Sequence, residues 1–248
     1  MQAIVTGATR GIGKAIALRF AHDGMDLCLM GRDKEKLIHL QKQIEKTGRQ
    51  CRIVQADFSK PDETQKAIKE ILSISNQWDV LVNNAGLARK IPLLELDLEN
   101  LDHMLNINLK AALLLTQAVI PGMIKQRKGK IINISSLGAF FGTEGMGAYA
   151  VTKAGLNQLT RTMSVEWGKH NIQVNAICPT IIMTDMGKAI WDRPGQEKQK
   201  QKIIAGIPAG RFGEPEDVAG LASFLAGPDS DYINGVCIPL EGGKLNMP

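Results

Sequence analysis

At 248 residues, 44% of them apolar and 22% charged, the chain can close one large core, and its composition excludes a disordered or fibrous protein. The formal charge of +5 (30 basic against 25 acidic residues) is scattered rather than striped beside aromatics, so no nucleic-acid partner is expected. No apolar run approaches the ~20 residues of a membrane span, and Met1 leads straight into QAIVTG without room for a signal peptide, so neither a membrane nor export is expected.

In chain order, strands and helices alternate. AIVTG (3–7) reads as a buried strand, followed by a Gly-rich turn and a helix, GIGKAIALRFAHDG, that Gly24 closes. DLCLM (26–30) is the second strand, with a polar helix from Asp33 to about Thr47 after it. CRIVQA (51–56) is the third, followed by a helix from about Pro61 to Ser73 with proline in its first turn. DVLVNN (79–84) is the fourth, and one long helix is predicted from Leu98 to Lys125. KIINIS (130–135) is the fifth strand, a helix spans Ala148 to Trp167, and IQVNAIC (172–178) is the sixth strand. The stretch from Thr184 to Ile207 is polar and helical in pattern, a helix covers Pro215 to Leu225, and VCIPL (236–240) is the last strand. Strands that are apolar throughout and separated by helices predict an α/β fold with a parallel sheet buried on both faces. No repeat or linker interrupts it, so residues 1–248 read as a single domain. The cysteines at 28, 51, 178 and 237 are far apart and lack a C-x-x-C, which predicts four buried free thiols, no metal site and a reducing, cytoplasmic setting. The cluster Lys125-Gln-Arg-Lys-Gly-Lys130 reads as a solvated turn.

Two constellations carry chemistry. In the segment Ser135 to Lys153, a tyrosine and a lysine four residues apart share one helix face, and Ser136 stands at the carboxyl end of a strand. Ligands bind at that edge of open α/β sheets. An ammonium beside a phenol favours the phenolate, so Tyr149 is expected below its ordinary pKa of ~10. A Tyr-x-x-x-Lys pair is also a common surface pattern. The second constellation is Thr6-Gly7-Ala-Thr-Arg-Gly11-Ile-Gly13, glycines that follow a strand and open a helix. Without side chains, that backbone can approach a pyrophosphate at the helix N-terminus. Its spacing is G-x-x-x-G-x-G rather than G-x-G-x-x-G, and a Gly-rich turn without a ligand would read the same.

Together with Asn83-Asn84-Ala85-Gly86 and Asn108, these motifs resemble the short-chain dehydrogenase/reductases over essentially the whole chain, including the Ser136-to-Tyr149 separation of 149 − 136 = 13 residues. The resemblance implies a Rossmann-type, doubly wound, mainly parallel seven-stranded sheet with helices on both faces. It also implies reversible hydride transfer between a nicotinamide C4 and a small-molecule ketone or alcohol, with no metal. Tyr149 would be the general acid or base, and Lys153 would lower its pKa and bind the nicotinamide ribose. Ser136, rather than its neighbour Ser135, would hydrogen-bond the substrate oxygen, and Asn108 would hold a water linking Lys153 to solvent. The cofactor would lie along Gly7, Thr9, Arg10, Gly11, Ile12 and Gly13, then Asn84, Ala85 and Gly86, with Tyr149 and Lys153 at the nicotinamide and Pro179, Ile182 and Thr184 above it. Asp57 and Phe58 would flank the adenine.

NAD-selective relatives place an acidic residue at the end of the second strand, where this chain has Gly31-Arg32. Arg32 and Arg10 suit a 2′-phosphate, so NADPH/NADP+ rather than NAD is expected. Asp33, one position late, is expected to cap the next helix. Residues 184–209 are expected to form a lid over the substrate. PTxxMTxMG after the sixth strand, Trp191 and the Pro239-Leu-Glu-Gly-Gly243 ending resemble sugar- and polyol-active reductases. TDM and IPAGRFGEPEDVA suit 3-oxoacyl-[acyl-carrier-protein] reductases equally, and Arg127, Lys128 and Lys130 offer such an enzyme a basic rim, although His170 stands where its second basic position would be. A catalytically silent nucleotide-binding scaffold is the third reading. Relatives are commonly homotetramers, pairing the Asn108 and Tyr149 helices across one axis and the last strand across another.

Overall fold

The structure, a computed structural model, describes residues 1–246. Seven strands pair in parallel in the order β3-β2-β1-β4-β5-β6-β7: β1 Gln2–Thr6, β2 Asp26–Gly31, β3 Cys51–Gln55, β4 Val80–Asn83, β5 Gly129–Ile134, β6 Ile172–Pro179 and β7 Cys237–Leu240. Alternate residues of each strand serve different faces. Ala3, Val5, Leu27, Leu29, Val80 and Val82 meet Ile16 and Phe20 of α1 (Gly11–His22), Leu37 and Leu40 of α2 (Lys34–Glu45), and a C-terminal helix, Pro215–Ala226. Ile4, Cys28, Met30, Leu81 and Ile131 meet Ile71 of α3 (Pro61–Ile74), and beyond it Leu115, Val119 and Met163. Each such side chain contributes about 1.5–3 kcal/mol by leaving water. This two-sided burial is the fold that the unbroken apolar strands predict. The strand order reverses between β1 and β4, the switch point beside which ligands sit in doubly wound sheets.

The predicted long helix is one rod with a fault in it. Leu98–Leu105 (α4) and Ala111–Gln126 (α5) are α-helical, and Asn106–Lys110 between them is a π-turn. By length and composition, Leu98–Gln126 could cross a membrane. Here Ile107, Ala111, Leu115, Val119 and Met123 instead face the sheet as part of its core. Helix starts follow their caps. The Asp33 carboxylate accepts from the Lys36 amide at 3.0 Å, as expected of a cap, and Asp97 accepts from the Asn100 amide at 2.7 Å.

A buried polar ladder crosses the middle of the molecule. Asn83 and Asn133 are register partners on β4 and β5. Asn83 Nδ2 donates to Asn133 Oδ1 (2.9 Å) and to Thr116 Oγ1 on α5 (3.1 Å), and Asn133 Nδ2 donates to Thr160 Oγ1 (2.9 Å). Thr160 lies on α6 (Gly147–Trp167), so two helices of that face, α5 and α6, are tied to the sheet.

Two expectations fail for local reasons. Lys130 is not in a solvated turn: it is the second residue of β5, is 5% exposed, and its ammonium meets Asp231 at 2.6 Å and Ser230 Oγ at 3.2 Å. Cys237 is only partly buried because β7 is an edge strand, whereas Cys28, Cys51 and Cys178 are buried. No cysteine is paired in a disulfide, and burial pushes the thiols of Cys28 and Cys51 up to about 12.

Candidate active site

The turn after β1 is held open from beneath. Thr6 Oγ1 donates to Val82 O (3.2 Å) and accepts from the Asn84 and Ala85 amides (2.9 Å each), which locks the end of β1 to the end of β4. Asn84 Nδ2 donates to Thr6 O at 2.8 Å and to Gly7 O at 3.2 Å. Gly7 and Gly11 have φ of +63° and +52°, and a Cβ on Gly13 would lie 2.4 Å from both Asn84 Nδ2 and Gly7 O. The spacing of the three glycines is thus a requirement of this turn. It leaves bare backbone facing a cleft of about 500 Å³ along the carboxyl edge of the sheet.

Every site residue predicted from the sequence lines this cleft except Asn108. At one end are Thr9, Arg10, Arg32, Asp57 and Phe58, with Arg32 Nη1 3.9 Å from Asp57 Oδ2. Asp57 also accepts from the Ser59 amide (3.0 Å) and hydroxyl (2.8 Å), and although burial raises its pKa, those bonds leave it below the usual carboxylate value. The middle is formed by Gly7, Gly11, Ile12, Gly13, Asn84, Ala85 and Gly86. Ser136, Tyr149, Lys153, Pro179, Ile182 and Thr184 close the far end. Sequence reasoning missed Lys36, Ser135 and Thr180, which also line it. The signal for Lys36 was available: it is the third residue of a helix that Asp33 caps at the sheet's carboxyl edge.

The serine, tyrosine and lysine come together because β5 ends where α6 begins to pass over it. Ser136 caps the short turn Leu137–Ala139, its Oγ accepting from the Gly138 amide at 3.1 Å, and its hydroxyl stands beside the Tyr149 phenol. The Ser135 hydroxyl donates to Lys153 O at 3.2 Å. Lys153 is 4% exposed and donates to Ile134 O at 2.8 Å, with its ammonium 5.8 Å from the Tyr149 ring centre.

The electrostatics correct the expectation for this pair. Burial raises the phenol's pKa, the neighbouring Ser136 hydroxyl offsets only part of that, and burial pulls the lysine down from 10.5 to about 8. Desolvation dominates both groups, so the phenol's pKa is moved up, opposite to the direction that the Tyr-x-x-x-Lys spacing alone suggests. Asn108 sits in the π-turn behind Gly86. Its amide is engaged at both ends, Oδ1 accepting from the Leu87 amide (2.8 Å) and Nδ2 donating to Leu87 O (2.9 Å) and Thr152 Oγ1 (3.0 Å). A Cβ on Gly86 would lie 3.5 Å from Lys153 Nζ and 3.6 Å from Asn108 Oδ1, so both side chains come within ordinary contact distance of this position.

Directly after Thr184 at the far end the chain forms α7 (Asp185–Trp191) and then α8 (Glu197–Ala205). Met183 N donates to Gly213 O (2.8 Å) and Gly213 N to Ile181 O (3.0 Å), which pins both roots of the segment together. Met183, Ile207 and Phe212 form a small core with Trp191, Ile203 and Ile204 packed on it, Trp191 and Phe212 being 5.5 Å apart between ring centres. Trp191 therefore packs inside this unit rather than lining the cleft. The basic turn at Arg127 and Lys128 precedes β5, at the edge of the sheet opposite the cleft.

A parallel doubly wound sheet with a glycine cradle at its switch point, ending at a Ser-Tyr-Lys cluster, defines a nucleotide-binding oxidoreductase site. The chain matches the family model described as Enoyl-(Acyl carrier protein) reductase over residues 7–244. It is 37% identical over 242 residues to a 3-oxoacyl-[acyl-carrier-protein] reductase of Thermotoga maritima, covering 98% of this chain and 96% of the relative. It is 38% identical over 255 residues to a diacetyl reductase ((S)-acetoin forming) of Staphylococcus epidermidis, covering 98% of each. Among solved structures, one described as an NAD(P) dependent gluconate 5-dehydrogenase from Beutenbergia cavernae, with bound NADP, superposes with a TM-score of 0.92 at 33% identity, covering 99% of this chain and 96% of that one. The chain belongs to the short-chain dehydrogenase/reductase family and is an oxidoreductase of it.

Proposed function

We propose that the protein is an NADP(H)-dependent reductase that converts a small polar ketone, of the sugar or polyol kind, to its secondary alcohol and back. The observation that carries the reading is the convergence of Ser136, Tyr149 and Lys153 at one end of a cleft whose other end presents Arg10 and Arg32. A bound nicotinamide cofactor supplies or accepts the hydride. The residues do the rest: Ser136 hydrogen-bonds the substrate oxygen, and Tyr149 donates its phenolic proton to that oxygen during reduction. Lys153 binds the ribose hydroxyls and, with a pKa near 8, can return a proton to the phenol. Gly7, Gly11 and Gly13 let backbone amides meet the pyrophosphate, and Asn84, Ala85 and Gly86 form the opposite wall. Asp57 and Phe58 border the adenine, and Thr9, Ile12, Pro179, Ile182 and Thr184 enclose the cofactor. Asn108 holds a water that links Lys153 to solvent, so that the proton is replaced after each turnover.

In the same reading, residues 1–248 form one domain with residues 184–209 as its lid, and the enzyme is a cytoplasmic homotetramer. The exposed apolar side chains Leu98 (77%), Val151 (61%) and Val165 (82%) on α4 and α6 support that assembly, and light scattering at micromolar concentration tests it, a monomer overturning it. A second substrate reading, reduction of a 3-oxoacyl thioester, is favoured by an apolar rim. Leu93 and Leu94 are 70% and 100% exposed next to the start of α6, and Phe140 and Phe141 stand exposed just after Ser136. The deciding experiment follows NADPH absorbance with ketoses, polyols and acetoacetyl thioesters, alongside Tyr149→Phe. The expected result is turnover of the polar ketones, abolished in the variant. A thioester advantage of ~100-fold in kcat/KM, about 2.7 kcal/mol of transition-state binding, would replace the sugar reading with the acyl one. NADPH binding with no turnover of any carbonyl would leave a scaffold.

A further inference from the structure

The end of the cleft beside β2 and β3 holds more charge than the two arginines. Asp33 and Lys36 form part of the same wall. The Asp33 carboxylate is fixed there because it caps α2, accepting from the Lys36 amide at 3.0 Å. That hydrogen bond is the largest influence holding its pKa below the usual carboxylate value. The Lys36 ammonium rests 3.2 Å from Asp33 Oδ2 on a side chain that is 60% exposed. Arg32 stands 3.9 Å from Asp57 in the same way. The lining at this end is therefore three cations, Arg10, Arg32 and Lys36, checked by two carboxylates, Asp33 and Asp57. The carboxylates are anchored by backbone hydrogen bonds, while the cations sit on long, flexible stems.

Resting on the NADP(H) reading above, we propose that the Asp33–Lys36 pair sets the choice between a ribose 2′-phosphate and a free 2′-hydroxyl. Lys36 is the third cation that reads the phosphate, and Asp33 is the fixed counter-charge that parks Lys36 when no phosphate is present. Three physical points carry this. An exposed lysine–carboxylate pair adds little stability, so Lys36 can exchange Asp33 for a phosphate with little loss. An ammonium on a four-carbon stem meets phosphate as a point charge and needs no fixed approach angle, unlike the forked arginines. Asp33 already occupies the first-turn amide of α2, so a phosphate arriving here depends on side-chain cations rather than on that helix end. Asp33 also repels the dianion, which moderates the preference.

The test uses isothermal titration of the full chain with adenosine 2′,5′-bisphosphate and with 5′-AMP, two ligands that differ only in the 2′-phosphate and carry no nicotinamide. Wild type is expected to bind the bisphosphate more tightly. Lys36→Gln is expected to weaken the bisphosphate about tenfold, ~1.4 kcal/mol, and to leave AMP unchanged. Asp33→Asn keeps a residue that caps helices well and is expected to tighten the bisphosphate. The KM ratio for NADH over NADPH should fall in Lys36→Gln and rise in Asp33→Asn. Wild-type preference retained in full by Lys36→Gln, with melting temperature unchanged, overturns this inference alone. Equal binding of the two ligands by wild type overturns the NADP(H) reading and this inference with it.

Discussion

Lys153 shows how one residue is made costly by its position. Its pKa falls from 10.5 to about 8 because the ammonium is buried, and at about 1.36 kcal/mol per unit the charge costs the folded state about 3 kcal/mol. Below about pH 8 the lysine is charged in both folded and unfolded chains, and above about 10.5 it is neutral in both. Between these values the unfolded chain holds the extra proton, so this group makes stability rise with pH across that window. Lys153→Met removes the cost and leaves Ile134 O without its donor, a loss of about 1–3 kcal/mol. In urea melts, the stability of Lys153→Met relative to wild type is therefore expected to fall steadily from pH 8 to 10.5. A difference that stays flat over that range would show that the lysine is not desolvated. None of this was legible in the Tyr149–Lys153 spacing, which fixes which face the two side chains share but not how much water either one keeps.

At the scale of elements, the apolar runs and the glycines were readable because each reports a purely local need: a strand buried on both faces, or a turn with no room for a Cβ. What could not be read depends on partners far away in sequence. Lys130 looked like part of a solvated turn until Asp231, a hundred residues on, met it. Trp191 stood in the sequence only as part of a likeness to sugar-active reductases, and the neighbour it packs on, Phe212, lies 212 − 191 = 21 residues further along. That pairing makes α7 and α8 a small unit with its own core, and α8 has no fully buried residue of its own. Phe212 is 3% exposed, and Phe-to-Ala changes in cores cost about 3–5 kcal/mol. Phe212→Ala is expected to speed hydrogen exchange in residues 185–205 while the helices packed on the sheet keep their protection, and to raise KM for the carbonyl. Uniformly faster exchange throughout the chain would mean that the unit is not separable.

For the whole molecule, the cleft joins parts of the chain that share no local structure: the turn after β1, the ends of β4 and β5, α6, and the root of α7. A ligand that bridges them should stabilise the folded state as a unit. At ~100 times its dissociation constant, NADP+ is expected to add about 2.7 kcal/mol, and for a chain of this size each kcal/mol corresponds to about 2–4 °C in Tm. A scanning-calorimetry Tm that does not move with saturating NADP+ or NAD+ would remove the cleft from consideration as a nucleotide site.

The π-turn at Asn106–Lys110 sets a rule for anyone who edits this chain. A π-turn holds one residue more than an α-helical turn, so it behaves as an insertion locked inside a rod. Deleting one residue there lets the rod close as an ordinary helix while the segments on either side keep their faces, because the extra residue was absorbed within the turn. What is lost is the turn itself, and with it the position from which Asn108 bonds the Leu87 backbone, while the core face of α5 stays on the sheet. In the regular turns of α4 or α5 a one-residue deletion would instead rotate the rest of the rod by about 100° and turn its core face from the sheet, so there only about a whole turn can be removed.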